Sequence, residues 1–175
     1  MNIAIIPARI GSTRLPKKNI KLFYKKPIIS YAIEEAKKTK LFNKIIVSTD
    51  SDEIKKTSEF YGAEVPYLRP KYLSNSKIHF NEPVKHMIKW LAKKSLYPKN
   101  VCCIYPTSPL LDYKQLIKGY KKLQKNNNFV FSACLYRSPP QRSFYLKNGK
   151  VKLFNKKNYN RRSQTLKDIY HDAGQ

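Results

Sequence analysis

Acidic residues are scarce in this sequence: 11 Asp and Glu stand against 36 Lys and Arg, a formal charge of +25 over 175 residues. Glycine is scarcer still, with five in the chain, and Trp occurs once. So little glycine excludes the usual Gly-rich phosphate cradles. Neither the G-x-x-x-x-G-K-[ST] loop nor the G-x-G-x-x-G dinucleotide fingerprint is present. Cysteine is limited to Cys102, Cys103 and Cys134, an odd number set in apolar runs without metal-ligand spacing. That pattern argues against a disulfide framework or a zinc site and reads as small core hydrophobes. No apolar run approaches the roughly 20 residues that a bilayer requires. The first residues run straight into a strand-like pattern without a signal-peptide layout. A soluble, cytoplasmic protein with no membrane partner is expected.

What is present suffices for one core. Hydrophobic residues make up 41% and aromatics 13% of the chain, which predicts a single domain over 1–175. The excess of positive charge raises the expectation of an anionic partner. However, pairs such as Lys37-Lys38, Lys55-Lys56, Lys93-Lys94 and Lys121-Lys122 are spread over the polar faces of predicted helices. A nucleic-acid binder concentrates its charge on one stripe with aromatics or a recognition helix. No nucleic-acid partner is expected, and that role is the least favoured alternative. A phosphate-bearing substrate would still profit from the field.

Strand and helix patterns alternate. Asn2 to Pro7 is a short apolar run of the buried-strand type, followed at once by the loop "ARIGSTRLPKKN". Pro27 opens a helix with Ile29, Ala32, Ile33 and Ala36 on one face. A second strand is expected over Lys44 to Thr49. After it, Ser51 or Asp52 caps a helix with Ile54, Ser58 and Tyr61 inward, stopped by Gly62. Further strands are expected over Glu64 to Leu68, Val101 to Tyr105 and Phe129 to Leu135. Asn81 is expected to cap a helix carrying Val84, Met87, Ile88 and Leu91 inward. Asp112 is expected to cap another, with Leu116, Ile117, Tyr120 and Leu123 inward. This order predicts a Rossmann-like three-layer α/β/α fold with a mostly parallel sheet, whose ligands bind at the carboxyl ends of the strands.

Four loops converge on that edge: the one after the first strand, the Ser48-Thr49-Asp50 terminus, the aperiodic stretch from Arg69 to Phe80, and "YPTSPL" after the fourth strand. From Arg137 the pattern changes. The alternation of Phe144 and Leu146 with Val151 and Leu153 around Asn148-Gly149 is a hairpin signal, giving a β-hairpin excursion over 138–162 that would serve as a dimer arm.

In the first loop Gly11 permits a tight turn, while Arg9, Arg14, Lys17 and Lys18 bring positive charge to one place. On chemistry alone a phosphate grip and a solvated basic loop both remain open. Asp50 caps the following helix or faces the site. His79, His86 and His171 are isolated, Trp90 reads as packing, and Thr107 and Ser108 either touch substrate or form a turn.

Taken in order, "AIIPARIGSTRLPKKNIKLFYKKPIISYAIEEA", "IIVSTDSDEI", "YGAEVPYLRPKYLS" and "IYPTSPLL" resemble the CMP-sialic acid synthetase family, the cytidylyltransferases of nine-carbon acidic sugars. "FVFSA" with "PPQR", "RRSQTL" and "YHDAGQ" is most similar to the pseudaminic acid cytidylyltransferases within it. The resemblance implies a homodimer that transfers CMP from CTP to the anomeric hydroxyl of an acidic nonulosonic sugar and releases pyrophosphate. It implies that Arg9 and Lys18 act on the triphosphate as catalytic groups, with Ser12 and Asn19 binding in the same loop. Arg69 of "LRP" would lie near the cytosine, with the loop past Leu73 closing the base pocket. Arg162 would lie near the sugar, and Gln141 and Arg142 would be sugar or arm contacts. Magnesium is implied as the cofactor, with ligands that this chain does not identify.

Two features depart from the family pattern. Ile10 stands where the usual second glycine follows "PAR", which sets a bulky side chain beside the nucleotide. Family members also continue past "HDAGQ" to a late acidic D-x-D pair, for which no replacement is found here. The alternative to an active synthetase is therefore a truncated, catalytically inactive nucleotide-binding homologue.

Overall fold

A computed structural model of the chain describes residues 1–12, 14–125 and 128–174. Thr13 of the first loop and Gln175 of the last motif lie outside the described residues. Internal contacts divide the chain into two compact units, 1–130 and 131–174.

In the first unit β1 (Asn2–Pro7) is the central strand, since its isoleucines can be covered from both sides of a sheet. Ile3, Ala4, Ile5 and Ile6 are all fully buried. They divide by the two-residue period of a strand: Ala4 and Ile6 join one apolar cluster, Ile3 and Ile5 another. After β1 come a small antiparallel pair, β2 (Leu22–Phe23) and β3 (Lys26–Pro27), and then helix α1 (Ile28–Lys38). The four residues expected to face inward from α1 are all buried, against the Ala4/Ile6 face. Strand β4 (Lys44–Ser48) and helix α2 (Asp52–Phe60) follow. Ser51 Oγ accepts the Ile54 N–H at the start of α2, and Gly62, at φ +90°, allows the turn after it.

Helix α3 (Asn81–Lys93) covers the other face of the sheet with Met87 and Leu91. Asn81 is its first residue and makes no cap, contrary to the expectation; Phe80 holds the capping position. Strand β5 (Asn100–Cys103) completes a three-stranded sheet in the order β4-β1-β5, parallel throughout. Helix α4 (Tyr113–Leu123) is capped by Asp112, whose carboxylate accepts the Lys114 N–H at 2.8 Å. Its apolar stripe is only partly covered, and no residue of α4 is fully buried.

Two expected strands differ. Glu64 to Leu68 makes only isolated parallel bridges, from Glu64 to Ile46 of β4 and from Leu68 to Thr49 just past its end. Pro66 stands between them, and without an N–H it cannot continue the ladder. The fifth expected strand shortens to β6 (Ala133–Leu135), which pairs antiparallel with β9 (Tyr170–Asp172) in the second unit. Phe129 and Phe131, at the start of the expected strand, lie outside β6 and are exposed.

The hairpin formed by β7 (Phe144–Lys147) and β8 (Lys150–Leu153) has the expected register, with Phe144 opposite Leu153 and Leu146 opposite Val151. Asn148 and Gly149 both take positive φ, 52° and 71°, as a two-residue type I′ turn requires. A short helix α5 (Lys156–Tyr159) follows it. Among the described residues no helix is long and apolar enough to cross a membrane.

Candidate active site

β1 delivers its loop to the carboxyl edge of the sheet, where Ala8 donates its N–H to the Ser48 carbonyl at 2.9 Å. The loop is then fixed twice. Ile10 donates its N–H to Asp50 Oδ1 at 3.0 Å, and Asn19 Nδ2 donates to the Arg9 carbonyl at 2.8 Å. Asn19 is almost fully buried, and its Oδ1 has no partner among the described residues.

From the far side of β4 comes Arg69, held to the sheet because its N–H donates to the Thr49 carbonyl at 2.7 Å. Its side chain is 4% exposed. The guanidinium donates through Nε to Ser74 Oγ at 2.9 Å and through Nη1 to the Ser48 carbonyl at 3.3 Å. Burial pushes its pKa below the usual arginine value, the Asp50 carboxylate pulls it back up, and the charge of Arg9 pushes it down again. Arg9 reaches the same segment, its Nη1 donating to the Ser74 carbonyl at 3.3 Å.

These groups line one cavity of about 320 Å³. Arg9, Ser12, Lys18, Asn19 and Arg69 supply its cationic and polar lining, with Asn75 and Thr107. Leu73, Ile78, Phe80, Pro83 and Tyr105 supply an apolar, aromatic lining, in which the Phe80 and Tyr105 rings meet edge to face at 5.2 Å. Three cations and no carboxylate among the described lining residues make this a receptor for an anion. The apolar groups beside it suit a flat ring.

Five of the eight candidate residues are thus brought together: Arg9, Ser12, Lys18, Asn19 and Arg69. Gln141, Arg142 and Arg162 belong to the second unit. There Gln141 Nε2 donates to the Lys167 carbonyl at 2.7 Å, while Arg142 and Arg162 are exposed.

Several expectations for the loop are corrected. Arg14 and Lys17 do not join the cavity: both are exposed, and Lys17 pairs with Glu53 at 2.8 Å. Gly11 has no positive φ, and a Cβ there would meet nothing within 4 Å; among the described residues of the loop the left-handed one is Lys17, at φ 51°. Ile10 packs against the core cluster instead of lining the cavity. Asp50 anchors the loop and caps no helix. Thr107 lines the cavity, whereas the Ser108 carbonyl accepts the Leu111 N–H in a turn at 3.1 Å. Ser74, Asn75, Phe80 and Tyr105 were not singled out from the sequence. The signal was their place after strand ends, in the aperiodic stretch and in "YPTS", but no spacing rule marks which residue of such a loop turns inward.

The cytidylyltransferase family model matches residues 3–175. The chain belongs to the cytidylyltransferase family. Among its relatives is the pseudaminic acid cytidylyltransferase of Campylobacter jejuni, 42% identical over 99% of this cytidylyltransferase chain and 75% of the relative. The N-acylneuraminate cytidylyltransferase of Escherichia coli is 36% identical over 78% of this chain and 31% of its own length. A solved CMP:2-keto-3-deoxy-manno-octonic acid synthetase complexed with CTP matches with a TM-score of 0.60 at 17% identity, covering 75% of this chain and 50% of that one. At that identity the likeness speaks to the fold alone, an α/β fold with a parallel sheet, as the strand and helix order predicts.

Proposed function

We propose that this cytidylyltransferase transfers CMP from CTP to the anomeric hydroxyl of a nine-carbon acidic sugar, pseudaminic acid ahead of sialic acid, with release of pyrophosphate. The observation that carries the reading is the cavity in which Arg9, Lys18 and Arg69 lie beside Leu73, Phe80 and Tyr105. The cations take the triphosphate, and the apolar lining takes the pyrimidine. The choice of sugar rests on the 42% identity to the Campylobacter jejuni enzyme.

In the transfer, the sugar oxygen attacks the α-phosphorus in line while the bond to the β-phosphate oxygen breaks. Arg9 and Lys18 hold the phosphate oxygens and offset the charge that builds on them as pyrophosphate departs. Asn19, clamped to the Arg9 carbonyl, keeps the loop in register with that charge. No general base is assigned, because the described lining contains no Asp, Glu or His.

The same composition bears on magnesium. No group of three or more His, Cys, Asp or Glu side chains comes together among the described residues, and Asp50 is engaged with Ile10. The described lining offers no carboxylate of its own, so no residue is assigned to magnesium and no step is routed through the ion. A second reading is nucleotide binding without turnover. We also propose a homodimer built through the β7–β8 hairpin, on which Phe144, Leu146 and Val151 are exposed; sedimentation of the wild type and of a Phe144→Ser/Leu146→Ser variant tests it.

The deciding experiment is pyrophosphate release from CTP and magnesium with pseudaminic acid, N-acetylneuraminic acid or no sugar. Release with pseudaminic acid alone supports transfer. CTP binding by calorimetry without release supports the second reading, and absence of CTP binding overturns both.

A further inference from the structure

Ser74 closes a single turn of 3-10 helix, Lys71–Ser74, that follows soon after Arg69. Among the described residues it accepts a hydrogen bond from both guanidiniums. Arg9 Nη1 donates to its carbonyl at 3.3 Å, and Arg69 Nε donates to its hydroxyl at 2.9 Å. Two like charges that repel each other are thereby held through one small residue. A guanidinium as deeply buried as Arg69 depends on such acceptors to keep its charge and its plane. The Ser48 carbonyl satisfies one Nη1 proton. The Ser74 hydroxyl takes the Nε proton, and these two bonds fix the rotation of the fork. Leu73, immediately before Ser74, is buried and lines the apolar part of the cavity. The turn therefore joins the arginine pair to the surface offered to the base.

We propose that Ser74 is a positioning residue, one that sets Arg69 against Arg9 so that the two act as a single anion-binding pair for the nucleotide. The proposal rests on the reading of the cavity as a CTP site. It assigns separate tasks to the two halves of the residue. The carbonyl, which any residue supplies, holds Arg9. The hydroxyl, which only Ser and Thr supply at this reach, holds Arg69.

The test is a double-mutant cycle on CTP binding, read by calorimetry on the 175-residue chain. Ser74→Ala is expected to raise the Kd for CTP about tenfold, the effect of losing an acceptor to a charged donor. Ser74→Thr keeps the hydroxyl and is expected to stay within about twofold of wild type. In an Arg69→Ala background, Ser74→Ala is expected to add less than about twofold, because its partner is already gone. If the variants turn over, the change appears in KM for CTP and not in kcat. A Kd unchanged by Ser74→Ala overturns the proposal, as does a tenfold loss that persists in the Arg69→Ala background, which would mark Ser74 as a loop-shaping residue only. Should wild type itself fail to bind CTP, the cavity assignment falls and takes this proposal with it. That failure shows in the wild-type control, apart from any variant.

Discussion

Asp50, at the end of β4, accepts the main-chain N–H of Ile10 at 3.0 Å, so a carboxylate from one strand terminus pins the loop that leaves the next. The bond explains how a loop without a glycine cradle keeps a fixed shape. It also explains why one of the few acidic residues sits beside a cationic cavity without lining it.

Replacing that carboxylate separates its two effects. Asp50→Asn keeps an acceptor for Ile10 and is expected to hold stability within about 0.5 kcal/mol of wild type. Asp50→Ala leaves the N–H unpaired and is expected to cost about 1–2 kcal/mol in urea unfolding. CTP should bind Asp50→Asn at least as tightly as wild type, since a negative charge near the phosphates is gone, and Asp50→Ala more weakly. Equal stability of the two variants would show that the tether contributes nothing.

Arg69 makes the cavity an unfavourable place for a cation, since it is buried with the charge of Arg9 nearby, which Asp50 offsets in part. An anion relieves this. Pyrophosphate at a hundredfold its Kd is expected to stabilise wild type by about 2.7 kcal/mol. Arg69→Met is expected to lose most of that gain. A thermal-shift titration at two salt concentrations checks it, because the buried Arg69 keeps its effect where surface lysines are screened.

The thiols give a pH-dependent prediction. Burial pushes the Cys102 thiol up to about 11 and the Cys103 thiol up to about 12 from the usual 9.0, while Cys134 is exposed. Above their unfolded-state pKa these two cysteines ionise more readily in the unfolded chain, which then binds fewer protons than the native one. Their influence on stability is therefore nil below about pH 9, and stability falls as pH rises from 9 towards 12. A disulfide reagent at pH 8 is expected to label Cys134 quickly and the other two only on unfolding. Rapid native labelling of all three would refute the burial argument.

At the hairpin, Gly149→Ala forces a side chain onto φ 71°. The expected cost is about 1 kcal/mol, or roughly fivefold faster amide exchange along β7 and β8. Exchange in β1 and β4, which belong to the other unit, should not change. Slower exchange in the hairpin would contradict the type I′ assignment.

Much of the architecture was written in residue order. β1 was legible because Ile3, Ala4, Ile5 and Ile6 leave no polar face, which suits only a strand covered on both sides. α1 was legible from a helical period that survives without tertiary help, and the hairpin from Asn148-Gly149, whose turn chemistry is local. The rule that ligands meet a parallel sheet at its carboxyl edge put the loop after β1 and the stretch from Arg69 together, while the resemblance to the sialic acid synthetases picked out Arg9, Lys18, Asn19 and Arg69 within them. What the sequence could not decide were the matters set by partners far along the chain. Pro66 reduced an expected strand to two bridges, and β6 took β9 as its neighbour because an edge pairs with whatever strand the fold brings to it. Within the loop, composition offered four cations and one glycine on equal terms. Only packing sorted them: Glu53 drew Lys17 away, Ile10 turned to the core, and Ser74, from 65 residues on, met both arginines. The local chemistry of a residue determines what it can bind, but the direction it faces is settled by the contacts that close the tertiary structure.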